Sequence, residues 1–174
     1  MRNVFVSVGL LLMALLSSCG GENKILPIGI EEGLYPIDRH GLVKDYNPDF
    51  SKNKIYVYLI TGCVNEWLER TPRGKIDKIV SENPEWELLV YVNGSVEDST
   101  KVRMKLNQYD CNFPVILDTK GLYRKKNKIK DTVLLGLICD KKDVVRGCGV
   151  IGDGLSIFDP QFEIAKRRIY GHNR

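Results

Sequence analysis

Ile55-Tyr56-Val57-Tyr58-Leu59-Ile60-Thr61-Gly62-Cys63 is the stretch that decides the fold. Six apolar or aromatic residues run without interruption, as expected of a strand covered on both faces. Thr61-Gly62 breaks the run. Val64, Trp67 and Leu68 then follow at the spacing of an amphipathic helix. A buried strand turning directly into a helix predicts the first unit of an α/β domain, with Cys63 at the junction. Pro72 and Gly74 interrupt the helical pattern, and Ile76, Ile79 and Val80 continue its apolar stripe.

The alternation continues downstream. Residues 86–92 (Trp-Glu-Leu-Leu-Val-Tyr-Val) read as a second buried strand, ended by Asn93-Gly94. Ser95 with Asp98 signals a helix start. Val102, Leu106 and Tyr109 form its inner face, and Lys101, Arg103 and Lys105 its wet one. Phe113-Pro114-Val115-Ile116-Leu117-Asp118 is a short extended piece, and Pro114 implies an edge position. A short basic helix follows. Residues 132–139 and 144–151 predict a hairpin about Asp140-Lys141-Lys142-Asp143. Asp159-Pro160 opens a last helix, with Pro160 at its first position and Phe162, Ile164 or Ala165, and Ile169 inward. The glycines at 147, 149, 152 and 154 read as a loop, since no long helix follows them directly. Trp67 and Trp86 are expected in the core.

The N-terminus speaks to location. Met1-Arg2-Asn3 precedes a mostly apolar run from Val4 to Leu16, and Leu16-Ser17-Ser18-Cys19 closes it. A basic start, about a dozen apolar residues and small residues at the end make a secretory signal peptide. The run is short for a membrane span, which needs roughly 20 residues. Leu16-Ser17-Ser18-Cys19 also resembles the lipobox of bacterial lipoproteins. That resemblance implies a signal peptide over 1–18 and a lipid on Cys19. It implies attachment to a membrane of the bacterial cell envelope on the extracytoplasmic side, the periplasm being the expected compartment. The alternative is a plain secreted protein cut near Ser18. Residues 19–50 read as a tether and lead-in whose Ile25, Leu26, Ile28, Ile30 and Leu34 can pack on the folded part, and 51–174 as the folded domain.

Composition narrows the partners. The 26 Lys and Arg nearly balance 22 Asp and Glu, which argues against a dedicated nucleic-acid binder. The basic run Arg124-Lys125-Lys126-Asn127-Lys128-Ile129-Lys130 can touch anionic lipid or simply be a solvated helix face. The expected partners are the membrane, through Cys19, and an envelope protein; no nucleic acid is expected. Beyond Cys19 the cysteines are Cys63, Cys111, Cys139 and Cys148. Four cysteines allow three pairings, and an exported protein can keep such bonds. Their spacing fits neither a disulfide scaffold nor a metal site, and His40 and His172 are the only histidines. No metal and no cofactor is expected.

The order strand, helix, strand, helix, short strand, hairpin, helix, with a cysteine at the first strand–helix turn, resembles the thioredoxin-like fold. The nearer likeness is to its TlpA and peroxiredoxin-related branch, on the strength of residues 113–118. The resemblance covers roughly 54–170. It implies an α/β domain with a central mixed sheet flanked by helices and a C-terminal β-hairpin plus helix. It implies that Cys63 holds the catalytic position, with Thr61, Glu66 and Trp67 as binding positions around it. Relatives read Gly-Cys-x-x-Cys at the turn. Here Gly62-Cys63-Val64-Asn65-Glu66 puts an acid where the second cysteine belongs. The stretch Ile129-Lys130-Asp131-Thr132 also lacks the proline that usually precedes the hairpin.

Physical chemistry then sets the thiol's character. A helix N-terminus favours thiolate. Glu66, three residues on, opposes it. Unit charges about 6 Å apart repel by roughly 3 kcal/mol at an effective dielectric of 20 and about 0.7 in water. The two influences are expected to cancel, leaving Cys63 near an ordinary thiol. Topology puts Cys111 and Cys139 at the far end of the sheet from Cys63. With Lys141-Lys142 as the hairpin loop, Cys148 faces Leu135 and lies about 13 Å along the sheet from Cys139, at ~3.3 Å per residue. All four are therefore expected as free thiols. Three readings of Cys63 stay open: a residual cysteine in a binding or accessory protein, a monothiol peroxidase or thiol-disulfide catalyst (or redox sensor), and a core residue.

Overall fold

The computed structural model describes residues 24–31, 33–70, 81–129, 134–149 and 158–171. Its spine is β2 (Asn53–Ile60), the strand anticipated from the apolar run. Its side chains from Asn53 to Leu59 are all buried. β2 pairs in parallel with β3 (Trp86–Asn93) on one side and antiparallel with β5 (Leu134–Cys139) on the other. With β1 (Leu34–Ile37), β4 (Val115–Asp118) and β6 (Val145–Gly149) it completes a six-stranded mixed sheet of order β1-β4-β3-β2-β5-β6. The helices are α1 (Val64–Arg70), α2 (Asp98–Gln108), α3 (Leu122–Lys126) and α4 (Phe158–Tyr170). This is the mixed α/β architecture expected, with its closing hairpin and helix.

Strand alternation sends side chains into two separate cores. Ile55, Val57 and Leu59 point to one face, where they meet Trp67 of α1, Val102 and Leu106 of α2, and Phe162 and Ala165 of α4. Successive parallel crossovers moving the same way across a sheet stay on one face, because each is right-handed; β2-α1-β3-α2-β4 is such a run. Trp67 meets Phe113 edge-on at 6.0 Å, and Trp86 meets Phe162 at 4.9 Å. Tyr56 and Tyr58 point to the other face and pack with Tyr91, Tyr123 of α3, Ile25 and Ile28. Tyr91 and Tyr123 stack at 4.1 Å.

Several local expectations change. The lead-in supplies β1, which pairs antiparallel with β4 through Leu34↔Asp118 to Ile37↔Val115. β4 is therefore not at the edge. Pro114 lies just before it, where no ladder N–H is needed, and the proline in the edge strand is Pro36. Ile25, Ile28 and Leu34 are buried as anticipated, whereas Leu26 and Ile30 are exposed. α4 begins at Phe158, so Pro160 sits third in it rather than first; within the first turn its missing N–H still costs nothing. Gly147 and Gly149 lie in β6 rather than in a loop. A side chain at Gly147 would press on Gln161 O at 3.2 Å and Ile138 Cδ1 at 3.3 Å, so glycine lets α4 lie close on the strand. The expected stripe at 76, 79 and 80 and the break at Pro72 and Gly74 fall outside the described residues, as do the signal peptide and Cys19.

The hairpin is offset from the expected register. Cys139 pairs with Val145 and Leu137 with Cys148, with a bulge between Ile138 and Cys139. Asp140 sets this turn: its carboxylate accepts the N–H groups of Lys142 and Val144 and binds Arg146 at 2.7 Å. Asp143 follows in the left-handed region, φ 64°. Its carboxylate reaches Lys54 Nζ at 2.7 Å and accepts the Tyr56 hydroxyl at 3.2 Å. Lys54 is wholly buried, so this ion pair pins the hairpin to the start of β2.

Asn tolerates a left-handed backbone but carries no charge. Asp143→Asn is expected to lose about 2–3 kcal/mol in denaturant titration, near the lower bound for a broken buried pair because Asp143 keeps some solvent contact. Lys54→Met, which replaces the ammonium by apolar volume, is expected to lose less. Equal losses would mean that leaving the Lys54 ammonium buried without its counter-charge adds no cost.

Candidate functional site

Cys63 ends a single 3₁₀ turn, Thr61–Cys63, between the carboxyl end of β2 and α1. This is the strand–helix junction the sequence predicts. The turn is held from β3: Thr61 Oγ1 donates to Asn93 O at 3.1 Å. A methyl group at Gly94 would overlap Thr61 Oγ1, so the glycine that ends β3 lets the two strand ends abut. Sequence reading took Gly94 only as a strand terminator; nothing local in Asn93-Gly94 says that its neighbour in space is Thr61.

The structure sorts the four site candidates. Cys63 is partly exposed and packs on the core under α1. Thr61 is likewise half-buried, bonded to Asn93. Glu66 lies in the first turn of α1, close enough for its charge to act on the Cys63 sulfur. Trp67 is 1% exposed. It supports the turn from beneath and offers no surface to a ligand. Around the turn, Ile60 and Val96 are exposed apolar residues.

Burial, first, and the Glu66 carboxylate, second, push the Cys63 thiol above its ordinary pKa. The expected cancellation does not occur. Partial burial adds a desolvation cost that the sequence did not disclose, and it acts in the same direction as Glu66. Both influences disfavour the thiolate form of Cys63.

The remaining cysteines cannot join it. Cys139 pairs with Lys54, at the opposite end of β2 from Cys63. Cys111 precedes β4 and lies at that same far end. Cys148 was expected to rise toward the Cys63 end opposite Leu135; the offset register instead sets it opposite Leu137, which in turn faces Tyr56. That makes Cys139 and Cys148 diagonal neighbours on one face, roughly 7–8 Å apart by strand geometry. All four are free. Burial pushes the Cys139 and Cys148 thiols up as well. Among the described residues, no three His, Cys, Asp or Glu side chains converge as a metal site requires.

The sheet order, the helix placement and the strand–helix turn bearing a cysteine define a thioredoxin-like fold. Solved structures agree. The chain is similar to an uncharacterized thioredoxin-like protein from Porphyromonas gingivalis, with TM-score 0.55 and 13% identity over 89% of this chain and 100% of that one. It is similar to a putative thiol:disulfide interchange protein DsbE from Chlorobium tepidum, with TM-score 0.54 and 15% identity over 80% and 98%. It is also similar to a thiol peroxidase from Chromobacterium violaceum, with TM-score 0.51 and 12% identity over 88% of each chain. No protein-family profile matches the chain, and no curated protein matches it in sequence.

Glu66→Gln removes the smaller of the two influences on Cys63 and leaves burial in place. The wild-type alkylation profile, followed by mass spectrometry of the Cys63 peptide, is expected to have its midpoint above that of an ordinary thiol. Glu66→Gln is expected to move that midpoint down without bringing it below the ordinary range. An unchanged profile would mean that the carboxylate does not reach the sulfur.

Proposed function

We propose that this protein is an extracytoplasmic thioredoxin-like lipoprotein of the bacterial cell envelope. In this reading, a lipid on Cys19 holds it to the membrane and it has kept the fold while losing dithiol chemistry. It then serves as a binding or accessory protein for an envelope partner. The observation that carries the reading is the state of Cys63. Its thiol is pushed upward by burial and Glu66, and among the described residues no other cysteine stands at its end of the sheet. Dithiol exchange needs a thiolate and a resolving thiol; the first is disfavoured at Cys63, and no described cysteine stands where the second is needed. Fold alone does not supply the activity of the neighbours. The lipobox-like Leu16-Ser17-Ser18-Cys19 supports the anchored location. No helix among the described residues is long and apolar enough to cross a membrane, so attachment in this reading rests on the lipid.

A second reading has one observation in its favour. Cys63 is only partly buried, so a small oxidant can reach it. A monothiol peroxidase would take oxygen from peroxide to give a sulfenic acid and water, and an external thiol would return the cysteine.

Peroxide consumption and disulfide reduction are expected to be the same for wild type and Cys63→Ser. Glu66→Cys is expected to let positions 63 and 66 close a disulfide and to raise disulfide-exchange activity above wild type. A wild-type rate that falls in Cys63→Ser supports the monothiol reading instead. Mass spectrometry of the mature N-terminus is expected to find lipid on Cys19; an unmodified Cys19 would remove the anchor.

A further inference from the structure

The β5–β6 hairpin sorts its charges. Its tip reads Asp140-Lys141-Lys142-Asp143, and both acids turn inward, Asp140 to Arg146 at 2.7 Å and Asp143 to the buried Lys54 at 2.7 Å. Lys54 Nζ also donates to Lys141 O at 3.2 Å. The side chains of Lys141 and Lys142 stay exposed, and no acid among the described residues pairs with either. Two further exposed cations flank β6. Lys24, which also has no acidic partner among the described residues, bridges Val144 from the lead-in. Arg168 reaches over from α4, on the other face of the sheet, and donates to Arg146 O at 2.6 Å. The acids at the start of β3 stand two strand spacings, roughly 10 Å, from β5. There Glu87 meets Lys52 at 3.8 Å, and Glu85 accepts the Tyr170 hydroxyl at 3.2 Å. Asp49, before β2, accepts the N–H and hydroxyl of Ser51.

The N-terminal chain joins the fold beside this tip. Lys24 is bridged to Val144, and Ile25 N–H donates to Asp143 O at 2.9 Å. Cys19 is five residues before Lys24. A chain spans at most ~3.6 Å per residue, so Cys19 lies within roughly 18 Å of Lys24. β2 runs away from this end. From Asn53 to Ile60 it carries the chain roughly 23 Å, at ~3.3 Å per residue, to the turn that holds Cys63. A cavity of about 670 Å³, lined by Asn93, Lys120, Arg124, Lys125 and Lys128 among others, lies at that far end as well. A lipid on Cys19 would hold the hairpin end within one tether length of a bilayer. The tether alone would let the sheet lie flat; cations gathered at the tip favour the tip, because each gains free energy at an anionic surface.

We propose that the tip of the β5–β6 hairpin, with Lys24 and Arg168 beside it, docks on an anionic lipid surface, and that this orientation turns Cys63 away from the bilayer. The tether part of the argument rests on the reading of Cys19 as lipid-bearing. The charge part does not, because it uses only residues of the folded domain. The inference gives the inward acids of the tip a second consequence: by pairing with Lys54 and Arg146 they leave the outer surface of the hairpin to lysine.

Lysine acetylation footprinting tests it on the mature protein as a bacterium exports it. The protein is mixed with excess vesicles of phosphatidylcholine, with or without phosphatidylglycerol, and reactivity at each lysine is read by mass spectrometry. Lys24, Lys141 and Lys142 are expected to lose reactivity about tenfold when phosphatidylglycerol is present and to regain it at high salt. Lys101 on α2 and Lys125 at the far end are expected to keep theirs. The double variant Lys141→Gln/Lys142→Gln is expected to restore most of the reactivity of Lys24, whereas Arg103→Gln, a charge change on α2, is expected to leave the protection intact. Lys141 and Lys142 equally reactive on both vesicles would overturn the proposal. So would protection centred on Lys125 and Lys128, or a double variant in which Lys24 stays protected. The same spectra report the N-terminus. Lipid on Cys19 without protection at the tip sinks the docking and spares the anchor; protection without lipid does the reverse.

Discussion

The double burial of β2 is the constraint on which the structure depends. A strand paired on both edges and covered on both faces leaves none of its backbone groups to solvent, so its neighbours must supply partners in register along its length. β3 does so in parallel and β5 antiparallel. The alternation of its side chains then sorts the rest of the chain. The aliphatic positions collect α1, α2 and α4, while the tyrosines collect α3 and the lead-in. At one end of β2 the strand must stop and turn, which is where Cys63 stands. At the other end the wholly buried Lys54 requires a counter-charge, which the hairpin provides through Asp143.

The two ends of the sheet thus have different chemistry. The hairpin end is an electrostatic clasp, with Asp140 ordering the turn and Asp143 meeting Lys54. The carboxyl end of the parallel strands carries the features a ligand or substrate would meet. On one face is a thiol whose ionisation burial and Glu66 oppose; on the other is a cavity edged by cations. Asn93 belongs to both surroundings. Its carbonyl accepts from Thr61 beside Cys63, and the residue also lines the cavity. The tyrosine core separates them: Tyr58 stacks on Tyr123 at 5.8 Å between β2 and α3.

Much of the fold was legible because its signals are local. A continuous apolar run implies a covered strand, and Val102 and Leu106 at helical spacing imply an inner face; both are as read. Two of the misreadings turned on contacts that residue patterns do not display. Pro114 suggests an edge only while the contribution of residues 34–37 is unknown. The hairpin register followed from counting loop residues, whereas a bulge and the bonds of Asp140 set it, and so moved Cys148 away from the Cys63 end.

The amino-acid sequence by itself determined the class of the fold, the position of Cys63 at the turn after the first long strand, and the placing of an acid, Glu66, three residues beyond it. These follow from periodicity and spacing, which need no knowledge of the rest of the chain. Tertiary structure alone decided the upward shift of the Cys63 thiol, the role of Gly94 behind Thr61, the level of Cys148, and the grouping of Lys120 with Arg124, Lys125 and Lys128. Each of those depends on desolvation or on the approach of segments far apart in the chain. Such quantities exist only after folding has chosen which surfaces lose water and which charges share a space.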